Sequence, residues 1–201
     1  MLNNYHHPKG IGAMVRPKKV IIITDGDEYA KKTIDYLSRE IGGTCLSYLS
    51  DNPTHVTENQ VTEAIMAAEE EPVYVLIDDG GAPGPGAGEK ILLALAANEK
   101  VQIIGAIAVA SHTKNAEWTR FTLAIDQDGE LTSYGISKEG IPIPEIGRIN
   151  GDTIYALDQV DIPVVVAIGD IGKMQGKDDV KVGSPITRKA IEIILERGGN
   201  R

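Results

Sequence analysis

Cysteine is nearly absent: Cys45 stands alone in 201 residues. It has no partner for an internal disulfide, and no Cys/His cluster shows zinc-ligand spacing. A reducing compartment fits that usage. Cys45, behind Gly42-Gly43 in an expected strand, reads as a small buried hydrophobe. Long apolar runs are missing too, and none approaches the roughly 18 residues of a spanning helix. Residues 1–17 hold His6-His7, Pro8, Gly10, Gly12 and Pro17 and lack the apolar stretch of a signal peptide. They read as a flexible leader in which Met14 is an alternative start. Positive charge is in deficit, with 20 Lys and Arg against 29 Asp and Glu, a net charge of −9. That balance argues against a general grip on nucleic acid, which needs a basic face to release phosphate counterions. It argues equally against unaided attachment to an anionic membrane. No serine sits in a G-x-S-x-G elbow, no G-x-x-x-x-G-K-[ST] loop is present, and no segment repeats.

What is present is an alternation of buried strands and amphipathic helices, predicting one α/β domain over residues 18–201. Val20 to Ile23 is a β-branched run that reads as a strand buried on both faces. Thr24-Asp25-Gly26-Asp27 stops it, and Ala30, Ile34, Leu37 and Ile41 follow at helical spacing. Asp27 suits the cap of that helix, with Glu28 at the positive end of its dipole. Thr44 to Leu49 reads as a second strand and Asp51-Asn52-Pro53 as a turn. Thr57 and Gln60 have capping-box spacing ahead of Val61, Ile65 and Ala68. Val73 to Ile77 is a third strand, and GGAPGPGAGEK (residues 80–90) leads into a helix carrying Ile91, Leu92 and Leu95. Val101 to Val109 is a fourth strand. The order β-α-β-α-β-α-β predicts a mainly parallel, doubly wound sheet with helices on both faces.

The rhythm then changes. Phe121 to Ile125, an Asp128-Gly129 turn and Leu131 to Ile136 predict an inserted β-hairpin at about residues 121–136. Gly140 to Glu145 reads as an extended connector, and Asn150-Gly151-Asp152 opens a short helix. Pro163 to Ile168 is a last buried strand, and Lys173 to Lys181 reads as a mobile charged loop. Ser184-Pro185 then suits the cap and first turn of a final helix.

In such a sheet ligands collect beyond the carboxyl ends of the strands. Three strands end in acid, so Asp25, Asp27, Asp78, Asp79 and Asp170 are expected at one edge. Converging carboxylates repel unless a cation or shared protons offset them, which makes Mg²⁺ or Ca²⁺ one solution. Separate duties as caps and turn residues are the other. Gly81, Gly84, Gly86 and Gly88 invite a ligand or partner to approach the backbone. Pro83 and Pro85 remove N–H donors, however, so a lid or partner-contact loop suits this stretch as well as a phosphate site. The polar stretch SHTKNAEWTR supplies His112 or Glu117 as a general base, beside Trp118 and Arg120. Arg120 and Lys173 are candidates for a ligand carboxylate.

Taken together, VIIITDGDEYA, VLIDDGGAPGPGAGE, IGAIAVASHTKNAEWTR, AIDQDGELTSYGISKEG, VAIGDIGKMQGKDD and SPITRKAIEIILER resemble the stage V sporulation protein AE family in its soluble form. The resemblance implies a non-enzymatic protein made in the forespore cytoplasm and peripheral at the spore inner membrane. Its implied partners are other stage V sporulation membrane proteins, which handle calcium dipicolinate, and germinant receptors; its implied role is to promote germination. Strand-Asp25-x-Asp27-helix also looks like the metal-binding half of the Toprim fold, within a Rossmann-like sheet. That likeness implies Mg²⁺-dependent phosphoryl-transfer or phosphodiester chemistry. The Toprim pattern adds a glutamate from an earlier strand, and only the leader precedes Val20 here.

Overall fold

The β-branched run around Val20 forms an interior strand of a seven-stranded sheet in a computed structural model describing residues 16–50, 53–80, 86–111, 118–151 and 154–199. In chain order the elements are β1 (Lys18–Ile23), α1 (Glu28–Ile41), β2 (Thr44–Cys45), α2 (Glu58–Ala67), β3 (Val73–Leu76), α3 (Ala87–Ala96) and β4 (Val101–Val109). Then follow β5 (Trp118–Arg120), β6 (Leu123–Ile125), β7 (Leu131–Thr132), β8 (Tyr134–Ile136), β9 (Pro142–Ile146) and β10 (Arg148–Asn150). The chain closes with β11 (Val165–Ile168) and α4 (Pro185–Gly198). The main sheet has the order β2-β3-β1-β4-β11-β6-β7, parallel throughout except for the last pair.

Period-two alternation in β1 divides the core between the two faces. Ile21 and Ile23 pack with Ala30, Ile34 and Leu37 of α1 and with Ile186, Ala190 and Ile194 of α4. Val20 and Ile22 pack with Val61 and Ile65 of α2 and with Ile91, Leu92 and Leu95 of α3. Helices thus cover both faces, as the alternation predicts. The final helix lies especially close to the sheet: a Cβ on Gly105 would meet Ile194, and one on Gly198 would meet the Ile104 carbonyl.

Five local expectations change. The second strand ends after Cys45, because Ser47–Leu49 winds into a 3₁₀ turn. The inserted hairpin is split: β6 pairs with β7, whereas β8 pairs with β9. The connector Gly140 to Glu145 is therefore largely strand, with Pro142 and Pro144 on its exposed positions. The segment Lys173 to Lys181 is tied down rather than loose. Asp178 is fully buried, and its carboxylate accepts from the Gly172, Ile186 and Thr187 amides and the Thr187 hydroxyl. Asp178 also takes over the cap expected of Ser184, whose side chain makes no capping bond. Ser184 has φ 46°, turning the chain sharply into α4. The leader through residue 15, Met14 included, the Asp51-Asn52 turn and the Asp152 helix start lie outside the described residues.

Candidate functional site

From β1 the chain first builds β2 and β3 on one side, then crosses to β4 on the other. This reversal leaves a crevice between the carboxyl ends of β1 and β4, the usual ligand position in such sheets. The Thr24 hydroxyl fastens those ends together, accepting from the Val109 amide at 3.0 Å. A cleft of about 230 Å³ opens there, lined by Asp25, Asp27, Asp78, Ser111, Lys138, Asp170 and Lys173, among others.

Asp27 caps α1, taking the Tyr29 and Ala30 amides on Oδ1 at 2.8 and 2.9 Å. Its Oδ2 accepts a short bond from Lys173 Nζ, which also reaches Asp170 Oδ2 at 3.2 Å. Lys138 Nζ lies 3.4 Å from that same Asp170 oxygen. Asp78 accepts from the Gly26 amide at 3.1 Å and the Gly80 amide at 2.7 Å. Asp25 Oδ1 accepts from the Asp27 amide at 3.1 Å. Gly169 permits the 138–140 turn to close over this edge, since a Cβ there would fall 2.7 Å from the Lys138 carbonyl.

The electrostatics separate the two neighbouring aspartates. Burial, with the charges of Asp27 and Asp78, pushes the Asp25 carboxyl up to about 7, against lowering by the Asp27 amide and Lys173. Burial also works against ionised Asp27, but the Lys173 hydrogen bond and the Ala30 and Tyr29 amides outweigh it and hold that carboxyl below its ordinary range. Burial works against charged Lys173 too; its bonds and charge interactions with Asp27 and Asp170 prevail and raise it. The cleft therefore combines a carboxyl raised to about 7 with the firmly charged Lys173 ammonium. Such a pair can hold a small polar ligand or move a proton to it.

Of the residues singled out in the sequence, Asp25, Asp27, Asp78, Asp170 and Lys173 come together. Asp79 turns the other way, accepting from the Gly88 and Glu89 amides at the start of α3. Gly86 serves that cap, because a Cβ would fall 2.0 Å from Asp79 Oδ1. Trp118 and Arg120 belong to the β5–β10 ribbon, where Arg120 pairs with Asp158 at 3.4 Å, and neither lines the cleft. Gly81, Gly84, His112 and Glu117 lie outside the described residues. Lys138 carried no signal in the sequence, lying on a turn that only the fold brings to the edge, whereas Ser111 opens the polar stretch singled out there.

Among the described residues, no group of three or more His, Cys, Asp or Glu side chains is placed to hold a metal ion. Lys173 pairs with Asp27 and Asp170, and Lys138 with Asp170, so part of the carboxylate charge is offset from within the chain.

A family model described as stage V sporulation protein AE1 matches residues 19–198. No curated protein and no solved structure matches.

Proposed function

Because the chain belongs to the stage V sporulation protein AE1 family and its role lies in sporulation, we propose that it acts without catalysis at the spore inner membrane. There it works with the membrane proteins that handle calcium dipicolinate, and it promotes germination. The observation that carries this reading is the family match over nearly all of the described chain. No described helix is long and apolar enough to cross a membrane, so a membrane protein partner provides the attachment in this proposal. Exposed Tyr134 and Ile146, opposite each other across the β8–β9 ladder, offer apolar surface to such a partner. The Mg²⁺-dependent phosphoryl-transfer alternative finds no ligand set among the described residues.

The test is a fluorescent fusion expressed in sporulating cells, with and without the other stage V membrane proteins, alongside a deletion strain. The fusion should fractionate with the inner membrane only when those proteins are present, and deletion should slow dipicolinate release. A fusion spread evenly through the forespore, with normal release in the deletion strain, defeats the proposal.

A further inference from the structure

The outer face of α1 carries a second, larger concavity, which shares no lining residue with the acidic cleft. It encloses about 610 Å³ between α1, the Ser47–Leu49 turn and Val180. Such a volume suits a small organic molecule. Its walls hold three cations, Lys31, Lys32 and Arg39, against two carboxylates, Glu28 and Asp35. Lys31, Lys32 and Arg39 project into it from one helical face, in a protein whose net charge is −9. Lys31 is engaged by Glu28 at 3.0 Å, and Asp35 is engaged by the Ser47 hydroxyl at 2.9 Å. Lys32 and Arg39 make no ion pair among the described residues. Arg39 also suits the dipole in the last turn of α1, and Lys32 stands four residues after Glu28, a favourable helical spacing.

A second observation comes from the opposite wall. Ser50 is 1% exposed, and its Oγ has no hydrogen-bond partner among the described residues. A buried hydroxyl left unpaired costs stability unless something completes it. Beside it Tyr48 is 72% exposed and presents a flat aromatic wall. Lys32 and Arg39, seven residues apart on one face, stand about 10 Å apart along the helix.

We propose that this groove binds a small organic polyanion, its carboxylate or phosphate groups held by Lys32 and Arg39 and its body lying on Tyr48. The Ser50 hydroxyl supplies a further hydrogen bond from the wall facing α1. The site is separate from the acidic cleft and stands whether or not the membrane role holds.

The test is an amide NMR titration of the full chain with AMP and, separately, with citrate, at constant ionic strength set by sodium chloride. At least one probe should give saturable shifts confined to the amides of α1 and residues 47–50. A response to AMP alone assigns a phosphate on a flat body; a response to citrate alone assigns carboxylates. The Lys32→Gln/Arg39→Gln double variant should bind about tenfold or more weakly, while Lys90→Gln/Lys100→Gln, equal in charge change, should bind as the parent does. The spectra themselves establish that both variants are folded. The proposal is overturned if neither probe saturates below about 10 mM, or if both double variants weaken binding equally, as simple net charge would require.

Discussion

Asp25 ionises against burial and against the charges of Asp27 and Asp78, and that opposition ties the protein's stability to pH. Its folded value of about 7 stands above the ordinary 3.8. The folded chain thus holds a proton that the unfolded chain has released, and this contribution to stability disappears as pH rises from about 4 to about 7. Asp25→Asn removes the ionisation. Its melting temperature relative to the parent should climb over that interval and level off above it, as measured in thermal melts across pH. Asp27 works in the opposite sense: its lowered value contributes stability above the ordinary carboxylate range, lost on acidification. Lys173 lowers both groups. Lys173→Met should therefore raise both carboxyl titrations, read by carbon NMR of the labelled side chains. A rise confined to Asp25 would mean that the amides alone hold Asp27 down.

The segment from Gly172 to Ser184 holds several residues at positive φ, including Met174, Gln175 and Ser184, which lack glycine's freedom. Such a path survives only where its surroundings fix it, and here Asp178 does so with four accepted hydrogen bonds. Asp178→Asn places an amide donor against donors, so it should cost about 2–4 kcal/mol in denaturant unfolding. It should also release Lys173, raising the Asp27 carboxyl titration in the same sample. The sequence announced this element only as a charged loop, since nothing local marks Asp178 as buried. The helices were far more legible. Thr57 and Gln60 form the capping box that their spacing predicts, and Ala30, Ile34 and Leu37 are buried as their periodicity requires. Caps and amphipathic faces are decided within a few residues, whereas the Lys173–Asp27 pair joins positions 146 apart.

Across the molecule, the parallel order and two-faced cover were readable because buried strands and helices alternate up to Val109. After that point local pattern misassigned partners. Leu131 to Ile136 looks like one returning strand, yet β7 extends the main sheet while β8 pairs with β9. The choice was made by β11, which takes β6 as its parallel neighbour and so draws the hairpin into the sheet. With β1, β4, β6 and β11 in one sheet over two shared cores, the chain should unfold as one unit. Trp118 fluorescence and far-ultraviolet circular dichroism should follow the same transition in urea. Separate midpoints would place the antiparallel ribbons in a unit of their own.

The acidic cleft draws its walls from five stretches running from Thr24 to Lys173, and the last of them is secured through Asp178 to the first turn of α4. A ribosome delivers these stretches in sequence, so a nascent chain has the aspartates long before it has the cleft. Without α4, Asp178 loses three of the four hydrogen bonds it accepts, and the stretch carrying Lys173 loses that anchor. The cleft's shape therefore depends on a helix that lends it no wall.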